Sequence, residues 1–163
     1  MIVAARMRPG VRLAVDVGTV RVGVAASDRT GTLASPVTVL RRDARGDRDV
    51  AELAALVRER EAIEVVVGLP RLLRAAEGAA ADAARGYAAR LARAVTPVPV
   101  RLVDERLTTV EAARGLRAAG HNAKSARGVV DAAAAVVLLQ SALDAERQTD
   151  TPPGEIVSAE DEQ

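Results

Sequence analysis

The stretch Arg12-Leu-Ala-Val-Asp-Val-Gly-Thr-Val-Arg-Val-Gly-Val-Ala-Ala-Ser-Asp28 decides the fold. Residues 12–17 are valine-rich and apolar apart from Arg12 and Asp16, which reads as a first strand. Gly18-Thr19-Val20 reads as a tight connection, Arg21 to Ala26 as a second strand, and Ser27-Asp28 as its end. A turn at Arg29-Thr30-Gly31 leads to a third strand over roughly Thr32 to Leu40, where Pro36 predicts an edge position or a bulge. Links this short make the three strands antiparallel neighbours.

Downstream the period changes. Val50, Leu53, Ala54 and Val57 recur at helical spacing, so Asp47 to Arg60 is a helix. Ile63 to Val67 is a β-branched run closed by Gly68-Leu69-Pro70, the pattern of a strand covered on both faces. An alanine-rich helix over about Glu77–Val95, a fifth strand over Pro97–Val103 and helices over Thr108–Ala119 and Arg127–Glu146 follow. The expected fold is α/β: a mixed five-stranded sheet, a meander followed by two α-crossovers, with helices on both faces. Residues 1–11 read as a flexible start, 12–147 as one domain, and 148–163, acidic and carrying Pro152-Pro153-Gly154, as a disordered tail.

Composition excludes several chemistries. Cysteine is absent and His121 is the single histidine, which argues against thiolate or histidine zinc sites and a Ser-His-Asp triad. Any metal must sit on carboxylates, which suit Mg²⁺ or Mn²⁺. With no Phe, no Trp and one tyrosine, Tyr87, binding of single strands by base stacking lacks its platforms. The net charge of +1 is uneven: five acids in residues 150–163 face no lysine or arginine, leaving +6 on the rest. A basic body fits a polyanionic partner, and equally a solvated arginine-rich surface. No apolar run reaches the roughly 20 residues of a membrane span, so the chain reads as cytoplasmic.

Four segments hold the informative residues. Asp16 closes an apolar strand beside Gly18, a glycine that permits close backbone approach or a positive φ; the acid is either a metal ligand or a carboxylate satisfied by turn amides. Val67-Gly-Leu-Pro70 ends a buried strand and is read as shaping the rim. In Asp104-Glu-Arg-Leu-Thr-Thr109, one acid is a candidate ligand and the other a partner for Arg106, while Thr108 and Glu111 form a capping box. Asp131, among valines and alanines, is exposed, paired with Arg127 or a ligand. Lys124 and Arg127, with Arg117 nearby, are either phosphate contacts or a solvated helix entry.

Taken together, Leu13-Ala-Val-Asp-Val-Gly-Thr-Val-Arg-Val-Gly-Val-Ala25, Val67-Gly-Leu-Pro70, Asp104-Glu-Arg-Leu-Thr-Thr109 and Val130-Asp-Ala-Ala-Ala-Ala135 with Leu139-Gln140 make the chain resemble the YqgF/RuvX family, pre-16S ribosomal RNA nucleases related to Holliday-junction resolvases. The resemblance runs from about Leu13 to Leu143. It implies a ribonuclease-H-like fold and an acidic metal-binding triad of Asp16, Glu105 and Asp131. It further implies two-metal hydrolysis of RNA during small-subunit maturation, with Mg²⁺ or Mn²⁺ as cofactor. Arg21, Arg106, Thr109, Lys124 and Arg127 are the candidate substrate contacts, and the ribosomal small-subunit precursor the expected partner, for a monomer or homodimer. After Gly-Leu-Pro, many members carry an Asn-containing segment ending in Gly, where this chain has Arg71-Leu-Leu-Arg-Ala75. Three rivals remain: a DNA junction resolvase, an actin-like ATPase, disfavoured by the single copy of the fold, and a non-catalytic ribosome-assembly or nucleic-acid-binding module.

Overall fold

The computed structural model describes residues 7–70, 75–105 and 126–158, with the backbone alone at 75–77 and 126–131. The strands are β1 (Arg12–Val17), β2 (Arg21–Ser27), β3 (Ala34–Arg41), β4 (Glu64–Leu69), β5 (Val100–Asp104) and β6 (Glu155–Ile156). The helices are α1 (Arg48–Glu59), α2 (Ala75–Val95) and α3 (Ala126–Thr149). The expected helix over Thr108–Ala119 lies outside the described residues.

The strand order is β3-β2-β1-β4-β5-β6. β1, β2 and β3 form the antiparallel meander, and β4 and β5 lie parallel to β1. Both readings of Pro36 hold. β3 is an edge strand, and the register slips from Val24 opposite Thr38 to Ala25 opposite Pro36, which leaves Val37 as the extra residue of a bulge.

The sheet has six strands, where five were expected. The sixth comes from the acidic segment that composition marks as disordered. Leu102 pairs with Glu155 and Arg101 with Ile156, and the Val157 amide donates to the Val100 carbonyl at 2.8 Å. Ile156-Val157 is a short apolar pair next to an open strand edge, and Val157 is buried there. Residues 8–10 are held as well: the Gly10 amide donates to the Arg29 carbonyl at 2.8 Å, and Arg8 reaches Glu146 and Glu64 at 2.6 and 3.0 Å.

Alternation along the strands divides the core. Leu13, Val15, Val65, Val67 and Leu102 meet Leu53 and Val57 of α1 and Tyr87 and Leu91 of α2. On the other face Ala14, Ala25, Val66 and Val103 meet Ala135, Leu138, Leu139 and Ala142 of α3. The small side chains on both sides of this second interface let α3 lie close across β1, β2 and β3. At the entry end of β1, Arg12, Glu64 and Glu146 are all buried. Arg12 donates to Glu146 at 3.3 Å and to the Gly10 carbonyl at 2.8 Å, and Arg101 donates to Glu64 at 3.2 Å. With Arg8, this network ties the N-terminal segment, β1, β4, β5 and α3 together.

Ala14 has no exposed surface. Ala14→Leu should therefore overpack the α3 interface and cost about 1–3 kcal/mol, read as a lower urea midpoint at unchanged slope. The β2–β3 turn supplies an acid-sensitive contribution. Asp28 accepts the amides of Leu33 at 2.9 Å and Thr32 at 2.8 Å and the hydroxyl of Thr30, and these bonds hold its carboxyl down to about 2 from an ordinary 3.8. A depressed folded pKa means the contribution is complete above the unfolded value and disappears as pH falls through about 2. The stability gap between the parent and Asp28→Ala should thus narrow in urea titrations taken from about pH 5 down to about pH 2.

Candidate active site

Strand alternation places Asp16 on the face of Ala14, toward α3, at the end of β1 where the chain turns. The turn is tight. The Gly18 amide donates to the Arg21 carbonyl at 2.8 Å, and a Cβ on Gly18 would stand 2.7 Å from that oxygen. Close approach, rather than a positive φ, is what this glycine provides.

Asp16 stands between two residues without side chains. On β2 its direct partner is Gly23. On β4 the register runs to Val15 opposite Val67, so the next position is Gly68. A Cβ at Gly68 would meet Leu138 Cδ2 at 3.2 Å and the Cγ and Oε1 of Glu105 at 3.6 Å. The vacant side-chain space at Gly68 is thus where Glu105, just beyond β5, turns toward β1. The two adjacent acids therefore lie on opposite faces of the sheet. Asp104 lies on the other face, opposite Leu69 in the register, while Glu105 shares the face of Asp16.

The two carboxyls feel each other. Burial raises the Asp16 pKa. Burial, then the charges of Asp16 and Asp104, raise that of Glu105. Two half-buried acids whose charges repel are residues that could hold a hard cation, whose charge would offset both penalties. Among the described residues no group of three potential ligands converges. Position 131, the third expected acid, lies in the first turns of α3, where the backbone alone is described. By helical spacing it is one turn before Ala135 and two before Leu138, both buried against this face of the sheet.

Of the expected substrate contacts, Arg21 is exposed at the start of β2, paired in register with Arg41. Arg106, Thr109 and Lys124 lie outside the described residues, as do the capping box of Thr108 and Glu111 and the segment 71–74. Arg127 falls in α3, where its side chain is not described. Sequence reasoning missed the part played by Gly23 and Gly68. The signal was present: each is a lone glycine inside a β-branched strand, where glycine marks close approach.

A family model described as Holliday junction resolvase, RuvX, matches residues 10–145. The chain belongs to the RuvX family. A relative from Kineococcus radiotolerans named "Putative pre-16S rRNA nuclease" is 60% identical over 152 residues, 93% of this chain and 80% of its own length. One of the same name from Thermobifida fusca is 58% identical, covering 93% of this chain and 98% of its own. Among solved structures, T. thermophilus RuvC in complex with a Holliday junction substrate superposes with a TM-score of 0.64 at 17% identity, over 88% of this chain and 99% of that one. The RuvX chain thus has the ribonuclease-H-like fold. Among the described residues, no helix is long and apolar enough to cross a membrane.

The raised carboxyls give a test by sign. An acid whose folded pKa is raised destabilises the fold once it ionises, so the cost grows with rising pH. Asp16→Asn and Glu105→Gln should each raise the melting temperature of the metal-free RuvX protein in EDTA at mildly alkaline pH, and the gain should shrink on acidification. Scanning calorimetry at several pH values measures both.

Proposed function

We propose that this RuvX protein is a metal-dependent nuclease that hydrolyses RNA phosphodiester bonds in maturation of pre-16S ribosomal RNA. The observation that carries the reading is the pair of acids, Asp16 and Glu105, turned toward one another across the space left at Gly68. Such a pair at a strand edge serves no packing purpose, and its charges repel. The names of the relatives from Kineococcus and Thermobifida supply the substrate class.

In this reading Asp16, Glu105 and Asp131 hold Mg²⁺ or Mn²⁺. All three are hard oxygen donors, which suits those ions. The metal would supply Lewis-acid polarisation of the phosphate and a water acidic enough to serve as nucleophile near neutral pH. The chain contributes the rest. Gly68 keeps the space between the acids open for a phosphate, and Gly23 leaves the β2 side of Asp16 without a side chain. The dry interface of Ala14, Val66, Ala135 and Leu138 fixes the height of α3, and with it position 131, over the sheet. Arg21, Arg106, Thr109, Lys124 and Arg127 orient the polyanion through backbone contacts that read no sequence. The setting is cytoplasmic, on the ribosomal small-subunit precursor. The family's description favours a second reading, a four-way DNA junction as substrate.

Asp16→Asn, Glu105→Gln and Asp131→Asn should each lower the cleavage rate of a precursor-rRNA fragment in Mg²⁺ by on the order of 10²-fold or more, the scale of one preorganised electrostatic contact at a transition state. Parent-like cleavage by the triple variant would remove the catalytic reading and leave a binding module. Preferential cleavage of a four-way DNA junction in direct competition would transfer the substrate assignment to DNA.

A further inference from the structure

We propose that the β3–α1 connection is a second contact for the sugar–phosphate backbone of RNA, an arginine-lined cleft on the β3 side of Asp16. The proposal takes the identity of the polyanion from the nuclease reading. The cleft itself rests on separate residues.

Arg41, Arg42, Asp43, Arg45, Arg48 and Glu52 line an open concavity of about 610 Å³. Asp43, Asp47 and Asp49 are engaged within the protein, and Glu52 is the one exposed carboxylate of the lining. Asp43 accepts the amides of Gly46 at 3.0 Å and Arg48 at 3.2 Å, so it closes the turn into α1. Asp47 pairs with Arg90 at 3.4 Å. Asp49 is buried and accepts the Tyr87 hydroxyl at 2.9 Å. The cations are used differently. Arg48 is exposed, and its one ion pair among the described residues is a 3.9 Å contact with Asp43. Arg41 and Arg45 are exposed, and neither forms an ion pair among the described residues. With Glu52 counted, four lining arginines face two lining acids, so the cleft presents a surplus of positive charge.

Arg42 makes the cleft part of the active edge. Its guanidinium donates to the Gly18 carbonyl at 3.0 Å and lies 5.5 Å from the centre of the Tyr87 ring, and its amide donates to the Val20 carbonyl at 2.9 Å. These bonds lock the β3–α1 connection onto the β1–β2 turn, two residues from Asp16. The sheet order then sets the direction. Glu105 lies on the β4–β5 side of Asp16, while β3 lies on the other side, two strand spacings or about 10 Å away. A chain whose phosphate sits between the acids continues over the start of β2 and meets Arg41 and Arg45.

The ligand chemistry follows from the side chains. Guanidinium forks match phosphate oxygens bidentately. Tyr87 is the only Phe, Trp or Tyr in the chain and is buried, so among the described residues no ring is available to stack a base. Contact is with the backbone, tolerant of sequence and sensitive to salt.

The test is fluorescence anisotropy of a short fluorescein-labelled single-stranded RNA bound by the full chain in EDTA, where cleavage does not interfere. Arg41→Ala/Arg45→Ala should weaken binding about tenfold at low salt and flatten the plot of log affinity against log salt by about 0.7 per lost phosphate contact. Arg58→Ala/Arg60→Ala removes equal charge at the far end of α1 and should leave the slope near the parent's. Arg41→Lys/Arg45→Lys, which keeps the charge, should restore most of it, and so separates lost contacts from a damaged fold. The cleft is overturned if Arg41→Ala/Arg45→Ala leaves affinity and slope unchanged, or if both alanine pairs weaken binding equally. Neither result bears on cleavage. Conversely, failure of the nuclease reading would appear as undiminished cleavage by the Asp16, Glu105 and Asp131 variants, with the anisotropy data intact.

Discussion

The close approach of α3 to the sheet is the contact on which the rest of the molecule depends. It is possible only because the facing surface is built from small residues, Ala14 and Ala25 on the strands and Ala135 and Ala142 on the helix, with valine and leucine between them. The hydrophobic gain per residue is modest, since alanine buries little area. The return is geometric. A helix held at a fixed height brings Leu138 to the rim of the space at Gly68. A bulkier sheet face would lift the helix, and the edge with it.

Charge is managed in opposite ways at the two ends of β1. At the entry end, burial works against the Glu146 carboxylate, but Arg8 and Arg12 outweigh it and hold its pKa below the ordinary value. Arg12 is nearly inaccessible and its Nε has no partner. Such a network contributes little net stability, yet deleting one member would strand a buried charge. At the exit end, Asp16 and Glu105 have no compensating cation among the described residues, and both pKa values rise. One end is a closed structural clamp. The other keeps an unbalanced charge for a ligand to complete.

Much of this was legible in the sequence, and the exceptions have physical reasons. Valine runs and short links announced the meander, and Pro36 announced the bulged edge. Asp16 was visible as a charge ending an apolar strand. Asp104 and Glu105 could not be separated, because alternation tells only that neighbours face opposite ways, not which face meets α3. β6 was hidden by the acids around it, since two apolar residues next to an open edge outweigh a composition that looks unfolded. The Arg12–Glu146 pair spans 134 positions and leaves no local trace. The β3–α1 arginines looked like ordinary solvated surface. Only the folded geometry showed that Asp43, Asp47 and Asp49 beside them were already occupied.

That same long span governs when the molecule becomes whole. α3 covers β1, β2 and β3, but it follows them in the chain by more than eighty residues. A ribosome adds roughly 5–20 residues per second, so the alanine face of β1 and β2 waits on the order of ten seconds for its cover. Until then Arg12 lacks Glu146, and the strand ends lack the helix that roofs them. The strand ends around Asp16 therefore acquire their helical cover only after the more than one hundred residues that separate β1 from α3 have been added.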